Sequence, residues 1–311
     1  TKLKGILLSE GMHGMISQVE GLAKALDLEF THHTVELNNF WKLFPPKLTP
    51  ISQKTFKKID TDDFDVIISC GRKSVIPSIY LKQNSDKKVI NIHIQDPKVN
   101  LNNFSYVIAP EHDGLNGVNV FSTKGAIHYL TKEDINNHTN YLRDKLETGK
   151  EYFSLILGGP TKHYDYSDEN VLNIFSIFNN LVEKNNLQGV IVPSMRTPKN
   201  IIELAKKQLG KKNLVIDTID KKAYLSALSL AKYIAVTCDS TSMISEAALT
   251  GKPIYVADIP AKKNDFRIKK FHKLFNQLNI IKRLDDKLET WHYENLDETS
   301  RIADKIKKEL I

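Results

Sequence analysis

Apolar residues along this chain fall into short continuous runs, and between them come stretches in which they recur every three or four positions. That alternation marks strands feeding amphipathic helices. Runs at residues 3–8, 31–37, 66–69, 89–94, 106–109 and 118–121 predict strands, and the periodic stretches at 16–26 and 74–83 predict helices. Strands separated by helices imply a parallel sheet. Residues 130–150 are polar and highly charged, with a helix expected over 131–148 and ended by Gly149. A second alternation follows: strands at 152–157, 189–192, 213–217 and 233–236, and helices at 168–184 and 198–209. Ser240, Thr241 and Ser242 supply hydroxyl caps for a further helix, which Gly251 and Pro253 stop before another strand. The fold class predicted is α/β, with two Rossmann-like domains facing across a cleft. The expected boundaries are 1–130, a connector at 131–150, 151–285, and a C-terminal helical segment at 286–311 that crosses back to the first domain.

The 311 residues, 41% hydrophobic, suffice for two domains, each with its own core. No apolar run is long enough to span a bilayer, and the N-terminus enters a strand without a signal-peptide pattern, so a cytoplasmic location is expected. Cys70 and Cys238 lie at strand ends in different halves and read as buried free thiols. A formal net charge of +7 favours anionic partners. Lysine supplies most of it, so the few arginines, Arg72 and Arg196 among them, stand out as candidate phosphate or carboxylate forks.

The candidate chemistry gathers where strands end. Glu10-Gly-Met-His-Gly14 follows the first strand; Glu10 or His13 could act as a base, and Gly14 permits close backbone approach. Arg72 and Lys73 follow the third strand, Asp96 the next, and Glu111, His112 and Asp113 the one after. In the second half Gly158-Gly159, Arg196 and Ser240-Thr241-Ser242 follow three strands. Backbone N–H groups, a guanidinium and a helix start on one sheet edge suit a diphosphate, and Glu246, one turn inside that helix, could accept from ribose hydroxyls. The chain has neither Gly-x-Gly-x-x-Gly nor a P-loop. Asp60-Thr-Asp-Asp precedes a strand and reads as a solvated loop, and the histidines form no zinc signature. Residues 262–284 carry eight basic residues against one acid, with Phe271, Leu274, Phe275 and Leu278 at helical spacing. This stripe either packs on a core or lies on an anionic membrane.

The strand, Ser/Thr-rich helix start, Glu246 and closing Gly251-Lys-Pro resemble the sugar-nucleotide site of GT-B glycosyltransferases. More widely, Gly71-Arg72-Lys73, His93-Ile-Gln-Asp-Pro97, Pro110-Glu-His-Asp113, Thr123-Lys-Gly-Ala-Ile-His128, Pro193-Ser-Met-Arg-Thr-Pro198 and Asp239-Ser-Thr-Ser-Met-x-Ser-Glu246 resemble the "elongated mitochondria" family of plant mitochondrial-fission factors and their bacterial relatives. The loop at Gly11 and His13 departs from the Gly-Arg-Pro-Gly-His pattern expected there. The resemblance implies a GT-B-like architecture, with the first domain on the acceptor side and the second on the nucleotide-sugar side. It implies either a metal-independent, inverting glycosyltransferase of bacterial cell-surface glycan or lipid-linked saccharide, or a catalytically silent scaffold like the plant members. A nucleotide-sugar epimerase is a third, weaker reading. On the first of these, Glu10, His13 and Asp113 are the catalytic candidates, Gly14, Arg72, Lys73, Asp96, Glu111 and His112 line the acceptor or cleft side, and Gly158, Gly159, Arg196, Ser240, Thr241, Ser242 and Glu246 bind the donor. No metal, cofactor or nucleic acid is expected. The partners are a nucleotide-sugar donor, a glycan or lipid-linked acceptor and, as an option, the anionic inner-membrane surface.

Overall fold

A computed structural model describes residues 1–310 of the chain. Contacts divide it into two compact units, Thr1–Tyr129 with the chain from Asp297 onward, and Leu130–Leu296. The first unit contains β1 (Lys4–Ser9), α1 (His13–Ala25), β2 (Glu29–Thr34), β3 (Val66–Cys70), α2 (Val75–Gln83), β4 (Ile90–Ile94), β5 (Tyr106–Pro110) and β6 (Val120–Thr123). These strands form one parallel sheet in the order β2-β1-β3-β4-β5-β6. The order reverses at β1 and β3, so the loops leaving these two strands flank the crevice where open α/β sheets place ligands.

The second unit contains α3 (Lys132–Asn137), β7 (Tyr152–Leu157), α4 (Asp168–Lys184), β8 (Gln188–Pro193), α5 (Lys199–Leu209), β9 (Leu214–Val215), α6 (Lys221–Leu230), β10 (Ala231–Thr237), α7 (Thr241–Ala247), β11 (Ile254–Ala257), α8 (Phe266–Gln277) and β12 (Ile281–Arg283). Its sheet is also parallel throughout, in the order β12-β11-β10-β7-β8-β9, with the reversal between β7 and β10. Strands β7 and β8 are buried along their whole length, which explains their unbroken apolar runs. The chain then closes the first unit with α9 (Glu298–Leu310), which packs Ile302, Ala303 and Ile306 among Leu22, Val19 and the β1, β3 and β4 side chains. Its first turn is tied down as well. Glu298 accepts from the Lys124 N–H at 2.7 Å and from Arg301, while Thr299 Oγ1 bonds the His128 backbone.

Several elements differ from the sequence expectation. The helix expected over 131–148 stops at Asn137 and continues as two single 3-10 turns, Thr139–Tyr141 and Arg143–Lys145. Asn136, Asn137, Thr139 and Asn140 are weak helix formers, and tertiary bonds compete for this backbone. The Leu142 N–H donates to Ser226 Oγ at 3.1 Å, and Ser226 Oγ donates to the Thr139 carbonyl at 3.0 Å. The segment thus packs on α6 as part of the second unit. Val118, placed in a strand by its apolar character, is fully exposed, and β6 starts two residues later. The α8 stripe faces inward through Phe271 and Phe275, whose rings lie 4.2 Å apart, leaving Lys263, Lys270 and Lys273 in water. Among the described residues no helix is long and apolar enough to cross a membrane.

Because Ile302 is fully buried between α9 and α1, Ile302→Ala should destabilise the first unit by about 2–4 kcal/mol. The exposed Lys305→Ala on the same helix should change it by less than about 0.5 kcal/mol. Urea unfolding followed by circular dichroism distinguishes the two; equal effects would mean that α9 is not part of the core.

Candidate functional site

The register of the second sheet sets three strand ends level. Leu157 lies beside Pro193, and Val236 beside Ile156, so the turns after β7, β8 and β10 emerge side by side at the reversal point. Gly158-Gly159, Arg196 and Asp239-Ser240 therefore meet. The Arg196 guanidinium donates to Asp239 Oδ2 at 2.9 Å and to the Gly159 carbonyl at 3.3 Å. The Asp239 side chain is completely buried while that of Arg196 is 43% exposed, so one end of this pair is fixed and the other reaches solvent. Thr197 Oγ1 donates to the Gly158 carbonyl at 2.6 Å and ties the β8 turn to the β7 turn.

The two glycines have a steric cause. A Cβ on Gly158 would lie 2.1 Å from Asp239 Oδ2, and one on Gly159 would lie 2.1 Å from the Arg196 carbonyl oxygen. Their N–H groups, expected to face an external anion, are bonded inside the protein instead. Gly158 donates to Thr237 Oγ1 at 2.8 Å and Gly159 to Asp239 Oδ2 at 3.2 Å. The Gly159 N–H thus serves an internal anion, the Asp239 carboxylate, because a buried charge needs donors, and the Arg196 guanidinium is a second donor to it. Tyr166 adds a third donor to Asp239 Oδ1. Burial and the adjacent carboxylate push the Tyr166 phenol far up, which keeps its proton in place.

Ser240 caps α7, with its Oγ accepting from the Met243 N–H at 3.2 Å. The N–H groups of Thr241 and Ser242, in the first turn, have no acceptor within the helix and lie beside the exposed Ser242 side chain. Glu246, one turn further, is half-buried and accepts from the Tyr224 hydroxyl at 3.1 Å. Burial pushes its carboxyl up to about 7 against the opposing pull of the Tyr224 hydrogen bond and the Lys221 charge. Gly251 takes φ +70° to end this segment. Lys252 then donates to the Leu228 carbonyl at 2.9 Å and to Ser229, closing the end of α6, and its burial pulls the ammonium down to about 8.

In the first unit the reversal point holds Glu10 and Gly71. Gly71 has φ +99°, and a Cβ there would lie 2.3 Å from Glu10 Oε2, so only glycine lets that carboxylate settle over the turn. Glu10 accepts from the Lys73 N–H at 3.5 Å and faces its ammonium at 3.9 Å. His13 is exposed at the start of α1, edge-on to Tyr129 at 5.9 Å, and Gly14 beside it has open space where a Cβ would stand. Arg72, expected among the cleft groups, instead points its fork at the Phe44 and Lys42 carbonyls at 3.0 and 3.2 Å, because the segment after β2 folds back over it. Asp96 turns onto Lys98, accepting from its N–H and ammonium, each at 2.9 Å, and Lys98 helps hold its carboxyl below the usual range. Glu111, His112 and Asp113 share one 3-10 turn after β5, with His112 Nε2 3.8 Å from Asp113 Oδ1. Asp239, Tyr166 and Thr237 were missed by sequence reading. Asp239 stood inside the Ser/Thr-rich stretch, but nothing local says that an aspartate will be buried.

Two six-stranded parallel sheets of this kind make the chain structurally similar to GT-B glycosyltransferases and UDP-GlcNAc 2-epimerases. It is similar to a glycosyltransferase of kitacinnamycin (TM-score 0.56, 13% identity, all of both chains). It is equally similar to the Neisseria meningitidis UDP-GlcNAc 2-epimerase (TM-score 0.55, 12% identity, 99% of both chains). The chain belongs to the mitochondrial fission ELM1 family, whose model matches residues 13–310. It is 25% identical to an uncharacterized protein of Rickettsia prowazekii over 97% of both chains. With the mitochondrial fission protein ELM1 of Arabidopsis thaliana it shares 24% identity over 84% of its own length and 66% of that protein's.

Replacing the carboxylate that gathers the three turns, by Asp239→Asn, should lower stability by about 2–4 kcal/mol, read from the melting temperature. A loss below about 0.5 kcal/mol would show that the pair does not hold the turns together. Glu246 should also impose a pH dependence. Between its ordinary value of 4.5 and about 7 the folded protein holds a proton that the unfolded chain has lost. Stability therefore falls as pH rises through that window and levels off above it, by about 1–3 kcal/mol in all. Subtracting the Glu246→Gln curve from the wild-type curve isolates this slope, and a flat difference would refute the assignment.

Proposed function

We propose that the second unit binds a nucleotide-diphosphate sugar at the β7/β10 reversal point and that the protein is a glycosyltransferase. The observation that carries this reading is the half-exposed Arg196 fork, held by Asp239, which stands two residues before the first turn of α7. A diphosphate placed there would meet the positive end of α7 and a guanidinium that needs no reorganisation. Glu246 is one turn deeper, where a carboxyl with a raised value can share a proton with a ribose hydroxyl pair. Because these groups offset the charge of the departing diphosphate, transfer is proposed to run without a metal ion. Glu10, His13 and Asp113, at the carboxyl edge of the first sheet, are the acid-base candidates for an acceptor hydroxyl, which would belong to a bacterial cell-surface glycan or a lipid-linked saccharide.

Two other readings have support. The kinship with a plant fission factor, together with an Arg196 already paired in the free protein, supports a silent scaffold. The similarity to UDP-GlcNAc 2-epimerases supports an epimerase that would use the same site.

A thermal-shift screen against nucleotides and nucleotide-diphosphate sugars should give a ligand-dependent rise in melting temperature. Donor turnover should survive EDTA. Arg196→Ala should slow it by about 30- to 1000-fold, an effect of about 2–4 kcal/mol on the barrier, whereas Glu246→Gln should mainly raise the donor KM. A chain that no nucleotide sugar protects is a scaffold, conversion of the sugar without an acceptor marks an epimerase, and activity lost to EDTA and restored by Mn²⁺ overturns the metal-free step.

A further inference from the structure

Between β2 and β3 the first unit puts out a segment whose apolar side chains face water. Phe40 is 62% exposed, Leu43 80%, Leu48 62% and Ile51 39%. The rings of Phe40, Trp41 and Phe44 cluster with centroids 4.9 to 5.5 Å apart, yet none of the three is buried. The segment is nevertheless well braced. Three short 3-10 turns, Trp41–Leu43, Pro46–Leu48 and Gln53–Thr55, shape it, and Arg72 holds it from below through the Lys42 and Phe44 carbonyls. At its base the Asn38 N–H donates to the Thr55 carbonyl at 2.9 Å, Asn38 Nδ2 donates to the Lys54 carbonyl at 2.6 Å, and the buried Phe56 pairs with Leu37. A preformed knob that keeps its largest side chains in solvent is a binding surface rather than a loop that failed to pack.

The charge around the knob selects the occupant. Residues 39–58 contain five lysines, Lys42, Lys47, Lys54, Lys57 and Lys58, and no acid. Lys57 pairs with Glu36, but among the described residues no carboxylate pairs with Lys42, Lys47 or Lys54. A second copy seated here would bring the same lysines face to face. A surface of anionic headgroups over hydrocarbon satisfies both halves of the pattern, with a tryptophan at the level where bilayers favour it.

We propose that residues 40–51 dock the protein on an anionic lipid bilayer, with Phe40, Leu43, Leu48 and Ile51 entering the headgroup–acyl boundary and Lys42, Lys47 and Lys54 meeting the headgroups. The proposal stands independently of any glycosyl transfer. It also differs from a membrane role for α8, whose apolar stripe is turned inward.

The test is sedimentation of the full chain with vesicles of phosphatidylcholine alone, or with about 30% phosphatidylglycerol, a difference of charge alone. Binding to the anionic vesicles should be about tenfold tighter or more, and weaker in high salt. Brominated acyl chains report depth, because the two tryptophans are the half-buried Trp41 on the knob and the buried Trp291. Quenching should occur and should vanish in Trp41→Phe. The double variant Phe40→Ser/Leu43→Ser should lose about tenfold or more in binding without a change in melting temperature. If that variant is destabilised, Lys42→Gln/Lys47→Gln, which leaves the apolar residues in place, should still lose the anionic preference. The proposal is overturned by absence of vesicle binding, by dimerisation in solution that the double variant abolishes, or by binding lost through Lys270→Gln/Lys273→Gln on α8 while the knob variants bind normally.

Discussion

A buried carboxylate organises the second unit. Asp239 is completely enclosed, and an ion in that position is tolerable only if donors surround it. The Gly159 N–H and the Tyr166 hydroxyl supply them from the loop after β7, and Arg196 from the loop after β8, while Asp239 itself follows β10. Satisfying one charge therefore fixes the loops after β7, β8 and β10 relative to each other. The glycines at 158 and 159 follow from it, since any larger residue would collide with the carboxylate or with the Arg196 backbone. So does the posture of Arg196, whose outer part remains available to solvent because its inner contacts are already made. A guanidinium held this way loses less freedom on meeting an anion than a free one would.

The first unit repeats the architecture with different chemistry at its edge. Its reversal point carries a carboxylate over a glycine at positive φ, with a lysine alongside, and its arginine braces a neighbouring segment. Acidic, imidazole and ammonium groups along one sheet edge make a surface that can exchange protons, while the second unit presents mainly donors. That division gives the two sheet edges different chemistry. It also explains how one fold can serve glycosyl transfer, epimerisation and recruitment, because the sheets stay the same and the loops differ.

Membership in the ELM1 family gives architecture without dictating a reaction. The buried pair and its glycine turns hold the second-unit edge through contacts internal to the protein. On the reading proposed above, an enzyme would differ from a scaffold in the use made of Arg196, Thr241, Ser242 and Glu246, and burial pushes the carboxyl of Glu246 up to about 7.

The period of apolar residues determined most of the elements, because strands buried on both faces and helices with one buried stripe leave unmistakable patterns. Strand ends were legible for the same reason, and with them the rows of candidate residues at each sheet edge. Elements held by tertiary bonds were not. The break after Asn137 depends on Ser226, far away in sequence, and the short β12 pairs with β11 over only three positions. Side-chain partners were hidden as well. The sequence places Arg72 and Arg196 at equivalent points, each after a strand, yet one braces carbonyls and the other meets a carboxylate. An arginine reaches across several ångströms in any of many rotamers, so its partner is set by what the folded chain brings within range. Local pattern thus determined where the chemistry stands, and only the packed structure decided which groups remain free to perform it.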